Sequence, residues 1–259
     1  MSATLLIGVD YSTQADKVGL ACGRLKGEAL EIEFAKCPGT HAAVKEQIIA
    51  WIEKEKKKKN GAILLAIDAP LGWPKPLSES LCSHKAGDAL SEPTTDRMFM
   101  RKTDWWVREV IGKTPLKVGA DKIALQAHHA LSFLDKLRSE HGPIPLAWNP
   151  ENVQGVSVIE VYPGATLKAF GFPYKGYKDE KKEAHVEARA CIIRRLDNKM
   201  ELCENVKNKM QENSDILDAV VCVRAAADFV DENIPLISPE KSKDRELAEK
   251  EGWIWVRKP

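Results

Sequence analysis

Two carboxylates close apolar runs: Asp10 ends "TLLIGVD" (4–10) and Asp68 ends "AILLAID" (62–68). A buried strand has no intrinsic use for a charge at its end, so each acid marks a place where the chain meets something polar. Asp215 and Asp218 stand at i and i+3 in "NSDILDA", on one face of a helix within its first turn. Acids at helix N-termini are stabilised by the dipole, by roughly 0.3–1 kcal/mol each, so for this pair alone capping and chemistry carry about equal weight. All four acids together shift that balance. Carboxylates packed within a few ångströms repel, and without a counter-charge at least one keeps its proton. A divalent cation removes the conflict. Hard oxygen ligands suit Mg²⁺ or Mn²⁺, and two such ions about 4 Å apart can hold both the attacking and leaving oxygens of a phosphodiester displacement.

The elements must then bring the acids together. Residues 4–10, 17–24 ("KVGLACGR") and 29–36 ("ALEIEFAK") read as strands, the last two joined by the turn-like "LKGE". Thr40 is a candidate N-cap for a helix reaching the mid-fifties, with Val44, Ile48, Ile49 and Ile52 on one face. A fourth strand covers 62–70. Residues 73–150 are proline-punctuated, with one clear helix at about 120–141, and read as an insertion within a single domain spanning 1–259. "VSVIEVYPGA" (156–165) is a further strand, 179–211 a charged helical region, 213–232 the strongest helix, capped by Asn213 or Ser214. "GWIWV" (252–256) is a closing strand or packed tail. The expected fold is α/β: three antiparallel N-terminal strands, then parallel strands, in one mixed sheet flanked by helices. If strands one and four are adjacent and parallel, their carboxyl ends place Asp10 beside Asp68.

Composition narrows the partners. With 39 Lys and Arg against 38 Asp and Glu, the formal charge is +1, so any polyanion must be met by a local patch. The six cysteines are scattered, without metal-ligand spacing, which suits free thiols in a reducing compartment. No basic segment followed by a long apolar stretch opens the chain, and no apolar run approaches the roughly 18 residues a membrane helix needs. A soluble cytoplasmic protein is expected.

The strand order, with Asp10 on the first strand, Asp68 on the fourth and "DILDA" opening the last helix, resembles the RNase H-like nuclease superfamily. The likeness is strongest to its Holliday-junction resolvase branch, which carries an Asp-x-x-Asp-Ala helix start. The whole chain resembles domain-of-unknown-function family 429, described as predicted nucleases of RNase H fold. The stretches that carry this are "IGVDYS", "AIDAPLGWP", "RKTDWWVRE", "VIEVYPGA", "DILDAVVCVRAA" and "EGWIWV". The resemblance implies that Asp10 is the metal ligand shared by both ions, that Asp68 takes the fourth-strand acid position (Glu in the resolvases, one carbon longer), and that Asp218 and Asp215 are the helix acids. Glu160 matches the family's strand acid. Three roles are open to it: a fifth metal ligand, a support for another ligand, or an outward-facing strand residue. The implied activity is metal-dependent hydrolysis of nucleic acid, DNA or RNA, with catalytic Asp10, Asp68, Asp215 and Asp218.

Other residues could hold the substrate. Arg101 and Arg108 in "RKTDWWVRE" could bind phosphates, with Asp104 orienting one of them; an exposed ion-paired helix turn is the plainer reading. "FGFPYKGYKDEKK" (170–182) interleaves aromatics with Lys175 and Lys178, as a flexible nucleic-acid contact would, or as a packed loop with a solvated rim would. "KEKKKK" (54–59) reads as a solvated helix end. His128 and His129 point to different helix faces and make a poor joint metal site. Two other functions compete. The actin and sugar-kinase superfamily shares the topology and would bind ATP, but it needs a duplicated half with its own Asp-x-Gly turn, and "IDAPLG" lacks that spacing. A non-catalytic binding module on the same fold is the other. The insertion could serve as a lid, a substrate platform or a homodimer contact.

Overall fold

The structure is a computed structural model and describes residues 3–58, 61–90, 94–119, 121–149, 153, 155–179, 181–239 and 242–259. Its centre is a six-stranded sheet of order β5-β4-β1-β2-β3-β6. The strands are β1 (Thr4–Asp10), β2 (Gly19–Lys26), β3 (Ala29–Lys36), β4 (Ile63–Ile67), β5 (Val156–Glu160) and the two-residue β6 (Glu201–Leu202). β1, β2 and β3 are antiparallel; β4 runs parallel to β1, β5 parallel to β4, and β6 parallel to β3. The mixed α/β sheet expected from the strand pattern is therefore present. β2 starts two residues later than expected because Ala15–Lys17 form a 3₁₀ turn. β5 stops at Glu160 because Pro163 opens helix α6 (Pro163–Ala169), and proline suits a first helical turn.

Helices cover both faces. α1 (His41–Lys56) and α5 (Asp121–His141) pack on the face carrying Leu5, Ile7, Val9, Leu65 and Ile67. Thr40 caps α1, its hydroxyl accepting from the Ala43 amide at 3.1 Å. α9 (Ser214–Val230) packs on the opposite face, against Leu6, Leu64 and Ile159. The Asn213 side chain caps α9, accepting from the amides of Asp215 at 2.8 Å and Ile216 at 3.1 Å. The expected helical stretch before it divides into α7 (Glu183–Asp197), β6 and α8 (Glu204–Glu212). Between β4 and β5 lie α2 (Lys75–Cys82), α3 (Thr95–Phe99), α4 (Lys102–Trp106), the π turn Val107–Ile111, and α5. The chain closes with α10 (Ser242–Glu251) and a buried tail, in which Ile254 bridges Glu160 and Trp255 meets Phe229 edge to face at 4.8 Å. Among the described residues, no helix is long and apolar enough to cross a membrane. Of "KEKKKK", Lys59 lies outside the described residues; Lys56 ends α1 paired with Glu53, and Lys58, just past the helix, pairs with Glu55.

Two glycines set the distance between α9 and the sheet. A Cβ on Gly8 would lie 2.1 Å from the Ala219 carbonyl oxygen, and one on Gly19 2.0 Å from that of Asp215. The helix backbone therefore rests directly on β1 and β2, which lowers the first turn of α9 onto the end of β1. Both colliding atoms are backbone, so no rotamer change relieves them. Gly8→Ala should destabilise the protein by at least the ~1–3 kcal/mol typical of overpacking, read as a lower urea midpoint. An unchanged midpoint would mean that α9 can lift without loss.

Candidate active site

Strand periodicity selects which acids can meet. Successive side chains alternate between faces, and the register pairs Leu6 with Leu64 and Gly8 with Ala66. Asp10 and Asp68 follow in the same parity and share the α9 face, tied by the Asp68 amide donating to the Val9 carbonyl at 2.9 Å. Asp218 is fully buried in the first turns of α9 on that face. Asp10, Asp68, Asp215 and Asp218 all line one cleft of about 560 Å³. Asp215, half-buried, sits one turn ahead of Asp218 and adds to the negative field at Asp10.

The electrostatics are those of crowded acids. Burial, then the charges of Asp218 and Asp68, push the Asp10 carboxyl well above the usual carboxylate range. Burial foremost, opposed by Lys178 and reinforced by Asp218 and Glu160, raises the Asp68 carboxyl to about 7. The Tyr177 hydroxyl donates to Asp218 Oδ1 at 2.8 Å, and Lys178 Nζ lies 2.6 Å from Asp218 Oδ2. Tyr177 thus takes one Asp218 oxygen and Lys178 the other. The Lys178 side chain is 59% exposed overall; desolvation of its head would lower the ammonium, but Asp218, Asp10 and Asp68 hold it protonated far above its ordinary value.

A pH dependence follows. Asp68 binds its proton more tightly folded than unfolded, so its contribution to stability is lost as pH rises from about 4 through about 7. Asp68→Asn removes this loss. Its stability relative to wild type should grow across that window, reaching about 1–3 kcal/mol by pH 8 in metal-free buffer. Urea denaturation at pH 5 and pH 8 measures it; an equal difference at both values would contradict the raised Asp68.

Glu160 and Arg101 also line this cleft, but their side chains are committed to each other and to neighbouring groups. Glu160 pairs with Ile67 across the β4–β5 ladder, so its parity belongs to the other face. Its carboxylate is saturated by Arg101, with Nη1 donating to Oε2 at 2.8 Å and Nη2 to Oε1 at 2.6 Å, and by the Leu71 amide at 3.0 Å. Of the three roles open to Glu160, support behind the site is the one its contacts describe. Arg101 is only 1% exposed and spends every N–H: the remaining donors go to both Asp104 oxygens and the Glu251 carbonyl. No donor is left for a phosphate. Asp104 holds the Arg101 guanidinium through both of its oxygens. Arg108 does not line the cleft; it stacks on Trp105, its guanidinium carbon 4.0 Å from the ring centroid, beside Asp96. Lys175 does line it.

Two residues of the site have no local signal in the sequence. Lys113 follows the insertion's π turn and lines the cleft. Gln126 of α5 spans the ends of β1 and β4, its Nε2 donating to the Tyr11 carbonyl at 2.8 Å and the Asp68 carbonyl at 3.0 Å. One side-chain amide thus holds the backbone just after Asp10 to that of Asp68.

Among the described residues, no three His, Cys, Asp or Glu side chains are arranged as a ready-made metal cage. The donor chemistry nonetheless fits a hard cation: oxygen ligands only, held close against their own repulsion. Lys178 occupies the counter-charge position. Among curated proteins, none matches the chain. The model of a family described as proteins of unknown function, DUF429, matches residues 8–242, and the chain belongs to that family.

Proposed function

We propose that this protein is a metal-dependent nuclease of RNase H-like fold that hydrolyses phosphodiester bonds of DNA or RNA. The observation that carries the reading is the convergence of Asp10, Asp68 and Asp218, from two strands and a helix, in one cleft that also presents Lys113 and Lys175. Bound Mg²⁺ or Mn²⁺ would supply charge stabilisation at the reacting phosphoryl oxygens and activation of water. The protein's own part is to hold the three carboxylates in place: Tyr177 fixes Asp218, Gln126 fixes the backbone after Asp10 and at Asp68, and Arg101 secures Glu160 behind them. Cys22, Cys82, Cys191, Cys203 and Cys222 are free thiols, which supports a reducing, cytoplasmic location.

The test is purified protein with Mg²⁺ or Mn²⁺ and a panel of structured DNA and RNA. Divalent-dependent cleavage of at least one member is expected; no cleavage of any sinks the proposal. A second reading, a non-catalytic binding module, is favoured by Lys178, whose ammonium already offsets part of the acids' charge. Melting under Mn²⁺ separates the two. A live acid cluster should gain about 2.7 kcal/mol at a hundred times the dissociation constant, whereas a module balanced by Lys178 should not respond.

A further inference from the structure

Three ammonium groups gather on one phenol ring beside the acids. Lys113, Lys168 and Lys175 lie 5.4, 4.9 and 5.3 Å from the Tyr174 ring centroid, and Lys113 is also 5.3 Å from that of Tyr162. Single contacts of this kind are common in the chain, but among the described residues no other ring has three cations against it. Like charges so gathered repel: burial first, then Lys175, Lys178 and Lys168, make the Lys113 ammonium easier to deprotonate than usual. Among the described residues, none of the three has a carboxylate within ion-pairing distance, unlike Lys178. The chain as a whole carries only +1, so this is a local concentration of positive charge, not a share of a basic surface.

The backbone makes room for it. Gly112 takes φ +70°, and its carbonyl accepts from Lys168 Nζ at 2.6 Å; a Cβ there would lie 3.0 Å from the same nitrogen. A Cβ on Gly164 would lie 2.6 Å from Lys113 Cε. Lys168 is thereby anchored as a fixed charge, while Lys113 and Lys175 present their ammonium groups to the cleft that also contains Asp68 and Asp218.

We propose that Lys113, Lys168 and Lys175, backed by Tyr174 and Tyr162, form a phosphate subsite that binds a phosphate adjacent to the one that reacts. This deepens the nuclease reading and rests on it for the identity of the acids' partner. The substrate class it selects is one with at least two phosphates in a row. A nucleic-acid backbone and a free polyphosphate share that chemistry.

The experiment measures binding without hydrolysis. A fluorescent single-stranded oligonucleotide is titrated in EDTA, at several salt concentrations, with wild type, Lys113→Gln, Lys175→Gln, the double variant and the charge-retaining Lys113→Arg; inorganic tripolyphosphate is tested as a competitor. The double variant should lose at least about tenfold in affinity, with the log–log salt slope shallower by roughly 0.7 per lysine; Lys113→Arg should keep most of both. Competition by tripolyphosphate with loss in the double variant supports the subsite. If only tripolyphosphate binding depends on the lysines, the subsite stands with a free polyphosphate as its ligand. Unchanged affinity and slope for both ligands overturn it. Each variant's melting curve checks folding, and Lys175, exposed, carries the test alone should Lys113→Gln fail to fold. The two readings fail separately. Wild-type cleavage with undiminished binding by the double variant sinks the subsite, while binding loss with no wild-type cleavage of any substrate sinks the nuclease.

Discussion

Asp10→Asn protein should melt higher than wild type in metal-free buffer, yet cleave at least about a thousandfold more slowly in Mg²⁺ or Mn²⁺. The two changes have one cause. Asp10 is 9% exposed and crowded by Asp218 and Asp68, so its charged form is disfavoured in the folded protein. Asparagine keeps the shape and removes the repulsion, leaving Lys178 to serve two acids in place of three. The same charge is what a divalent ion needs, and losing several kcal/mol of transition-state stabilisation corresponds to about 10³-fold or more in rate. Asp218→Asn should lose activity similarly, but it also weakens the pair with Lys178 and the bond from Tyr177, so its melting temperature should rise less. A rise in stability with activity intact would detach the acids from the chemistry. A fall in stability for Asp10→Asn would mean that this charge is balanced, not crowded.

Arg101→Met should be the most destabilising single change near the site. The guanidinium is 1% exposed and lies between Asp104 and Glu160, themselves 0% and 3% exposed. Removing it leaves two buried carboxylates without a counter-charge, which costs about 3–5 kcal/mol, a large part of the roughly 5–15 kcal/mol that stabilises an ordinary domain. The damage would spread because the network joins distant segments. Glu160 holds the Leu71 amide just after Asp68, and the Glu251 carboxylate accepts from the amides of Lys75 and Lys102 at the starts of α2 and α4, at 2.7 Å each. Urea denaturation should show the loss. A compensating variant with Asp104 and Glu160 also made apolar should recover much of it, since apolar replacement of a whole buried ionic set is often tolerated. A loss under about 1 kcal/mol for Arg101→Met alone would show that the insertion and the C-terminal tail are held by packing and not by this ionic set.

Local rules alone mark part of the site. Asp10 and Asp68 stand where apolar runs stop, and Asp218 where a capped helix begins, so strand length, alternation and helix capping were enough to single them out. The three antiparallel strands were legible for the same reason, each run being short, alternating or apolar, and bounded by turn residues. Glu160 shows where that reasoning ends. Its neighbours along the chain look like those of Asp10, but its face depends on the register between β4 and β5, a relation between segments some ninety residues apart. Arg101 was legible as a cation in the right region and not as a spent one, because all five of its donors are taken by residues far from it in sequence or brought back by a turn. Lys113, Lys168 and Lys175 lie in three separate segments, and no periodicity links them. Which charges face each other is settled by packing, because an electrostatic interaction depends on distance and burial, and both are properties of the packed chain.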